Sequence, residues 1–378
     1  MSKKAYIIDV YDDYAIRLKY VEKVLIEKGY DTHILLSDFN HVKKIPEKAH
    51  ADKENVEHIH VLPYKKNFSF QRLYSHYQFA RNVYKKLADE KPDLVWCIIP
   101  PNSLTGQMAK LKKKINCTLY FDLDDMWPET FPLSGVEKIL KIPFSIWRRL
   151  RDHNIDKADM VIAECDLFKE TIQKRIPDIN IETLYFCKDE ALKERRVGYR
   201  KGKLNLVYTG SINNIFDVDF TCDFLKKAGE KTELTLHIIG DGELRAQWLK
   251  KMDEMGLSYH YHGIVYDEKE KAAIYDGCDY GINFMKPSVF VGLTMKSLDY
   301  FTYHLPLLNN IHGDTWNLIE AKRVGYNINN DFKIDEIVSL NELDYQIMCQ
   351  KVGEIYTKSF TASICTDKLH QWIKEAIE

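Results

Sequence analysis

Two α/β units, each a parallel sheet flanked by helices, are what this sequence predicts, and three observations carry that expectation. The chain has 378 residues, too many for one ordinary domain of about 150. Short apolar runs alternate with stretches of helical period almost throughout. One charged stretch, 187–203, interrupts the alternation, which then restarts.

In the first unit, Tyr6-Ile7-Ile8, His33 to Leu36 and Leu94 to Ile99 are brief apolar runs bounded by polar turns. Strands apolar on both faces belong in a parallel sheet covered by helices. Tyr14 to Lys28 and Phe70 to Glu90 supply helical periodicity between them. Cys117–Leu123 and Met160–Ala163 add strands and bring the unit to its end near Phe186. Beyond the linker, Leu204–Tyr208, Leu234–Ile239, Tyr259–Tyr261, Tyr280–Phe284 and Leu305–Leu308 predict strands. Val218–Lys227, Leu244–Met255 and Leu293–Tyr303 predict helices. The expected domains are 1–190 and 203–357. Two units of similar size joined by a polar linker suggest a cleft, with ligands beyond the carboxyl ends of the strands.

Composition narrows the class. Lys+Arg 54 against Asp+Glu 56 leaves a formal charge of -2, so no global field attracts polyanions and no nucleic-acid partner is expected. The eight cysteines contain no C-x-x-C pair, and several sit in apolar strand-like runs as small hydrophobes. The charged start and the lack of a spanning apolar run of about 20 residues predict a soluble cytoplasmic protein. The histidines form no H-x-E-x-x-H cluster, and Asp122 and Asp124 make D-x-D by composition only, so no metal and no cofactor are expected.

The informative motifs follow strands of the second unit. In Tyr208-Thr209-Gly210-Ser211-Ile212-Asn213-Asn214, Gly210 permits close backbone approach to a ligand, while Ser211, Asn213 and Asn214 offer polar groups. The same segment also reads as a plain strand-to-helix turn. Ile238-Ile239-Gly240-Asp241-Gly242-Glu243 is a tight turn into a helix and lacks the G-x-G-x-x-G dinucleotide fingerprint. His262-Gly263-Ile264-Val265 would bring backbone groups to the same rim. Pro287 and Gly292 bracket a loop that opens a helix at Gly292-Leu293-Thr294, whose amides suit a phosphate. Lys296 would add a full charge for a diphosphate. Asp299, three residues on, is placed either for ribose hydroxyls or as a solvated partner of Lys296.

This order of strand-Gly, I-I-G-D-G-E, H-G-I-V and K-x-x-D-Y over residues 204–328 resembles the nucleotide half of GT-B glycosyltransferases. The resemblance is to family 4-like enzymes of bacterial capsule and exopolysaccharide synthesis. It implies two Rossmann-like domains facing across a cleft, with a terminal helix at about 358–378 returning to the first. It also implies a retaining transfer from a nucleotide-diphosphate sugar, with UDP favoured, to a saccharide acceptor. The implied donor site comprises Gly210, Ser211, Asn213, Asn214, Gly240, Gly263, Ile264, Val265, Gly292, Leu293, Thr294, Lys296 and Asp299. The family's paired glutamates, seven residues apart, fall on Val291 and Asp299, so the first acid is absent and the second is an aspartate.

In the first unit, Phe121 to Glu129 resembles the family's D-L-W-P-E segment. Asp125 would then bind or deprotonate an acceptor hydroxyl, and Trp127 would stack on a sugar; the bland alternative is a helix cap and a core ring. Asn102 or Ser103 would cap the next helix, toward the acceptor. Lys296 and Asp125 are the catalytic candidates. Residues 138–151 interleave bulky apolar side chains with Lys and Arg, which suits either an inward-packing surface helix or an anionic membrane. A lipid-linked acceptor and a peripheral place on the inner face of the plasma membrane would follow. A non-catalytic subunit of the same fold and a nucleotide-sugar epimerase are the alternatives.

Overall fold

The computed structural model describes residues 2–11, 15–131, 137–189 and 202–376. Most of the expected linker, 190–201, lies outside them, as do the side chains of Lys138, Ile139 and Leu140. The chain divides into two compact units. Unit 1 is Met1–Cys187 with Ala362–Glu378, and unit 2 is Lys188–Thr361.

Unit 1 opens with β1 (Lys4–Ile8), α1 (Ala15–Glu27) and β2 (Asp31–Ser37), then a short antiparallel ribbon of β3 (Phe39–Asn40) and β4 (Ile45–Pro46). It continues with β5 (Val56–Ile59), α2 (Phe70–Glu90), β6 (Leu94–Ile99), α3 (Ser103–Ile115) and β7 (Thr118–Leu123). After α4 (Glu137–Ile155), β8 (Met160–Ala163), α5 (Asp166–Gln173) and β9 (Ile181–Thr183) complete the sheet. Its order is β5-β2-β1-β6-β7-β8-β9. Every residue of β6 is buried, as a central strand covered on both faces requires.

Unit 2 runs β10 (Lys203–Thr209), α6 (Val218–Gly229), β11 (Glu233–Ile239), α7 (Arg245–Glu254), β12 (Tyr259–Gly263) and α8 (Glu268–Asp276). There follow β13 (Tyr280–Asn283), α9 (Met295–Thr302), β14 (Leu307–Asn309), α10 (Asp314–Lys322) and β15 (Gly325–Asn327). Helices α11 (Asp335–Val338) and α12 (Glu342–Ser359) close it. The sheet order is β12-β11-β10-β13-β14-β15, all parallel. Both sheets step outward one way from their first strand and then reverse, the doubly wound pattern whose switch point holds ligands. That point lies between β1 and β6 in unit 1, and between β10 and β13 in unit 2.

Helix α13 (Ala362–Trp372) belongs to unit 1 and packs on α1. Cys365, Leu369 and Ile373 join the core of Ala5, Ile7, Val21 and Trp96. The Tyr120 hydroxyl donates to the Trp372 carbonyl, and Lys28 pairs with Glu375 at 2.7 Å. Among the described residues no helix is long and apolar enough to cross a membrane.

The D-x-D of β7 and the residue after it has a structural explanation. Asp122 and Asp124 are buried and share one guanidinium, Arg17 Nη1, at 2.5 and 2.9 Å. Arg17 also donates to the Leu184 carbonyl. Burial pushes the Asp124 carboxyl well above its usual range, with Asp122 beside it adding to the rise and Arg17 opposing it. Among the described residues no group of three or more His, Cys, Asp or Glu is arranged for a metal ion.

Candidate functional site

Three strand-end turns stack at the carboxyl edge of the unit 2 sheet. The Gly210 amide donates to the Ile239 carbonyl, and the Gly240 amide to the Gly263 carbonyl. Gly240 has φ 139, and a methyl there would lie 2.0 Å from the Gly210 oxygen. Gly242 has φ 159 and meets the Ile212 carbonyl at 2.3 Å in the same way. These glycines let two strand-end backbones touch, and that packing accounts for the G-D-G spacing.

The rest of this rim is mostly backbone and small polar groups. Ser211 and Asn214 are exposed. Asn213 Oδ1 accepts from the Ile215 amide and braces its own turn. The Ser211 carbonyl accepts from the Tyr208 hydroxyl at 2.6 Å. Beyond Gly263, Val265 is buried while Ile264 is 54% exposed.

Helix α9 aims its first turn at the same edge. Thr294 is its N-cap, its hydroxyl accepting from the Ser297 amide. Gly292 and Leu293, just upstream, are buried. The Gly292 carbonyl accepts from the amide and the hydroxyl of Thr315, which fixes the loop. The amides of Thr294, Met295 and Lys296 meet no acceptor among the described residues. Such a helix start is ready for an anion.

An asparagine ladder anchors the cap. Strands β13, β14 and β15 each end in Asn, in register. Asn283 donates to Ser297 Oγ at 3.0 Å and to Asn309 at 3.3 Å, and Asn309 donates to Asn327 at 3.1 Å. Tyr300 holds the other side of α9. Its hydroxyl accepts from the Thr209 amide at 2.9 Å and lies 3.2 Å from the carbonyls of Val207 and Ile282. Gly281 makes room for that ring, since a methyl there would sit 2.5 Å from it.

Lys296 projects from the first turn of α9 toward Gly210. Its Cε would lie 3.7 Å from a methyl on Gly210, and its ammonium stands 4.6 Å from the centroid of Tyr208. Burial lowers its pKa to about 8, with no carboxylate among the described residues to oppose the shift. An anion arriving at the α9 amides would meet a desolvated lysine without a charge partner.

Asp299 is engaged differently from the expected pairing with Lys296. Its Oδ1 accepts from Lys188 rather than from Lys296, and both partners are largely shielded from solvent. Lys188 has its own pKa lowered, by burial first and Lys271 second. The sequence carried no sign of this pair, whose members are 111 positions apart. Val291 is partly exposed in the loop before α9.

The unit 1 candidates are also brought together, with corrections. Asp125 follows β7, and its two oxygens accept from Trp127 Nε1 and the Thr130 hydroxyl. Burial raises its pKa, while those donors pull it down. Trp127 does not offer a face to a sugar, because it is only 6% exposed and sits in an aromatic box. His76 stacks on it at 5.8 Å, the Arg72 guanidinium lies 4.2 Å over its ring, and Trp147 closes the side at 5.8 Å. Arg72 also donates to the Tyr11 hydroxyl, which contacts His76 at 2.6 Å. Asn102 is likewise withdrawn. It stands at the N-cap of α3 but makes no side-chain cap bond, and its amide instead donates to the Trp127 and Trp147 carbonyls.

No family model and no curated protein matches this chain. Solved structures do. Sucrose-phosphate synthase from Thermosynechococcus elongatus superposes with a TM-score of 0.70 at 11% identity, over 98% of each chain. The lipopolysaccharide outer core galactosyltransferase WaaB, in its apo form, gives 0.64 at 17% identity over 98% of each. Anabaena HepE in complex with UDP gives 0.67 at 12% identity, over 98% of this chain and 99% of that one. With two doubly wound parallel sheets and near-complete coverage by these structures, the chain has the GT-B fold.

Proposed function

We propose that this chain is a glycosyltransferase of the family 4-like type, moving a sugar from a UDP-sugar to a saccharide acceptor with retention of configuration. The observation that carries the reading is Lys296, a partly buried lysine with no carboxylate partner among the described residues, beside Gly210 and the open amides of α9. A fixed cation and aligned amides suit the charge that develops on a departing diphosphate. Support also comes from the crystal structures of HepE with UDP and with UDP-glucose, which share this fold. In front-face transfer the leaving diphosphate takes the acceptor proton, so the protein's part is alignment and charge neutralisation. Lys296 and the α9 amides do this without a metal, and Asp125 orients the acceptor from unit 1. The proposed acceptor is lipid-linked and belongs to bacterial polysaccharide or glycoconjugate synthesis.

Titration calorimetry with UDP and UDP-glucose, followed by transfer of labelled glucose to saccharide acceptors, tests the reading. Absence of nucleotide binding would sink it. Val291 in place of the family's first acid favours one rival, a non-catalytic subunit of the same fold. UDP binding without hydrolysis or transfer by the isolated chain would support that rival.

A further inference from the structure

The last strand of the unit 2 sheet leaves one side of its backbone open. The Leu307 amide donates to the Val324 carbonyl, and the Ile328 amide to the Asn309 carbonyl. Leu307 stands opposite Gly325 and Asn309 opposite Asn327. This pattern turns the amide and carbonyl of Tyr326 toward β14, and those of Gly325 and Asn327 away from it. Because β15 ends the sheet, the outward groups of Gly325 and Asn327 meet no partner among the described residues. Both residues line a trough of about 640 Å³. Trp316 and Ile319 enter it from α10, Ile347 and Met348 from α12. These walls lie on opposite faces of the sheet. Helix α10 crosses from β14 to β15 and α6 from β10 to β11, steps taken in opposite directions along the sheet, so right-handed connections put the two helices on opposite faces. Met348 packs in the core of α6, which Ile319 does not join.

From this edge and its two walls we infer that the trough binds an extended peptide segment of a partner protein, which joins the sheet as a strand beside β15. Gly325 and Asn327 each present an N–H and a C=O at strand spacing, which is half of a β ladder, and a peptide backbone supplies the other half. Successive side chains of the added strand point to opposite faces. One set would meet Trp316 and Ile319, the other Ile347 and Met348, so a short continuous run of β-branched or aromatic residues fits rather than an alternating one. The walls also select the occupant. Gly325 is buried in the floor while Glu320 and Ile347 on the walls are exposed, so the edge of a second sheet is stopped by the helices where a single chain passes. A saccharide has no backbone repeat to match the strand spacing. None of the donor residues proposed above lines this trough, and the peptide site stands whether or not the chain transfers a sugar.

Selection of a random heptapeptide display library on the full chain, followed by binding of the enriched peptides in synthetic form, tests it. Enriched sequences should carry a run of Val, Ile, Thr, Tyr or Phe. Methylating alternate backbone amides of such a peptide removes ladder donors while keeping its side chains, and should lower affinity by about tenfold or more. Ile347→Asp puts a charge on the α12 wall and should weaken binding by a similar factor. Ile347 is 41% exposed, so the fold should persist, and an unchanged melting temperature checks it. Asn327 is left unaltered, because its side chain completes the asparagine ladder. Amide hydrogen exchange on the parent chain reads the edge itself: Gly325 and Asn327 should gain protection when the peptide binds, and Tyr326, already turned to β14, much less. No enriched peptide, equal binding by the methylated peptide or by folded Ile347→Asp, or unchanged exchange at Gly325 and Asn327 overturns the inference. Protection of those amides by maltoheptaose and by no peptide would make the trough a saccharide site and overturn it as well.

Discussion

The Lys296 ammonium lies 4.6 Å from the centroid of the Tyr208 ring, the nearest thing to a charge partner it has among the described residues. An aromatic face offsets only part of the cost of desolvating an ammonium, about 0.5–2 kcal/mol. An arriving diphosphate would offset far more. Lys296→Met should therefore weaken UDP by about ten- to a hundredfold, the worth of one charge-assisted contact of about 1.5–3 kcal/mol. The same variant should keep or slightly raise the melting temperature, since a partly buried charge without a carboxylate partner among the described residues is removed. Calorimetry alongside thermal unfolding checks both, and a parallel loss of stability would assign Lys296 to the fold instead.

The lowered pKa of Lys296, about 8, gives two pH dependences of opposite sign. UDP favours the protonated lysine, so its affinity should fall as pH rises through about 8, approaching tenfold per pH unit. Stability should do the reverse. Between about 8 and the ordinary lysine value near 10.4, the unfolded state binds more protons than the folded one, so this group's penalty fades as pH rises. Lys296→Arg stays charged and should flatten the affinity profile. Calorimetry from neutral to alkaline pH reads it directly.

Lys188 and Asp299 form a shielded pair, so removing one leaves the other uncompensated. Lys188→Met should cost about 1–3 kcal/mol, at or below the range for fully buried pairs because some solvent reaches both groups. The double variant with Asp299→Asn should recover part of that loss. Denaturant unfolding of both singles and the double gives the coupling energy. Additive effects would mean that the contact is not energetic.

Tyr300 joins α9 to the sheet through one hydroxyl shared by the Thr209 amide and two carbonyls. Tyr300→Phe leaves that buried amide without its acceptor and should cost about 1–3 kcal/mol. Because α9 carries Lys296, UDP affinity should also fall, but less than in Lys296→Met. A stability change without any change in UDP affinity would show that α9 holds its position by packing alone.

How much of this was legible in the sequence depends on the range of the interaction. Strand and helix alternation is local and periodic, so β1, β2, β6, β7, β8 and the unit 2 strands through β14 appear in the residue pattern within a few positions. Short edge strands such as β9 and β15, of three residues each, give too little period to read. Asn at the ends of β13, β14 and β15 was visible, but its meaning needs the register that aligns the three. Lys296 was legible because a helix start fixes where its stem points. Trp127 was not: an aromatic beside a strand end looks the same whether it faces a sugar or, as here, His76 and Arg72. The same holds for Lys188, whose partner lies more than a hundred residues away.

Asp125 offers the sharpest separation of chemistry from structure. Both of its oxygens already accept hydrogen bonds, from Trp127 and Thr130, and burial raises its pKa. A carboxylate with a raised folded pKa destabilises the fold when ionised, so its contribution to stability falls as pH rises from the unfolded value toward the folded one. Asp125→Asn keeps the shape, removes the charge and retains one carbonyl oxygen. If the Trp127 indole keeps that oxygen, only the Thr130 contact must rearrange, because a hydroxyl can turn to donate elsewhere. The variant should therefore be about as stable as the parent at neutral pH, within about 1 kcal/mol. UDP affinity should not change, because the proposed donor residues all lie in unit 2. Transfer to the saccharide acceptor should drop by about a hundredfold or more if Asp125 orients or deprotonates the hydroxyl. Equal transfer by Asp125→Asn would leave Asp125 as a brace for the Trp127 box, and the acceptor contact would have to be sought elsewhere in unit 1.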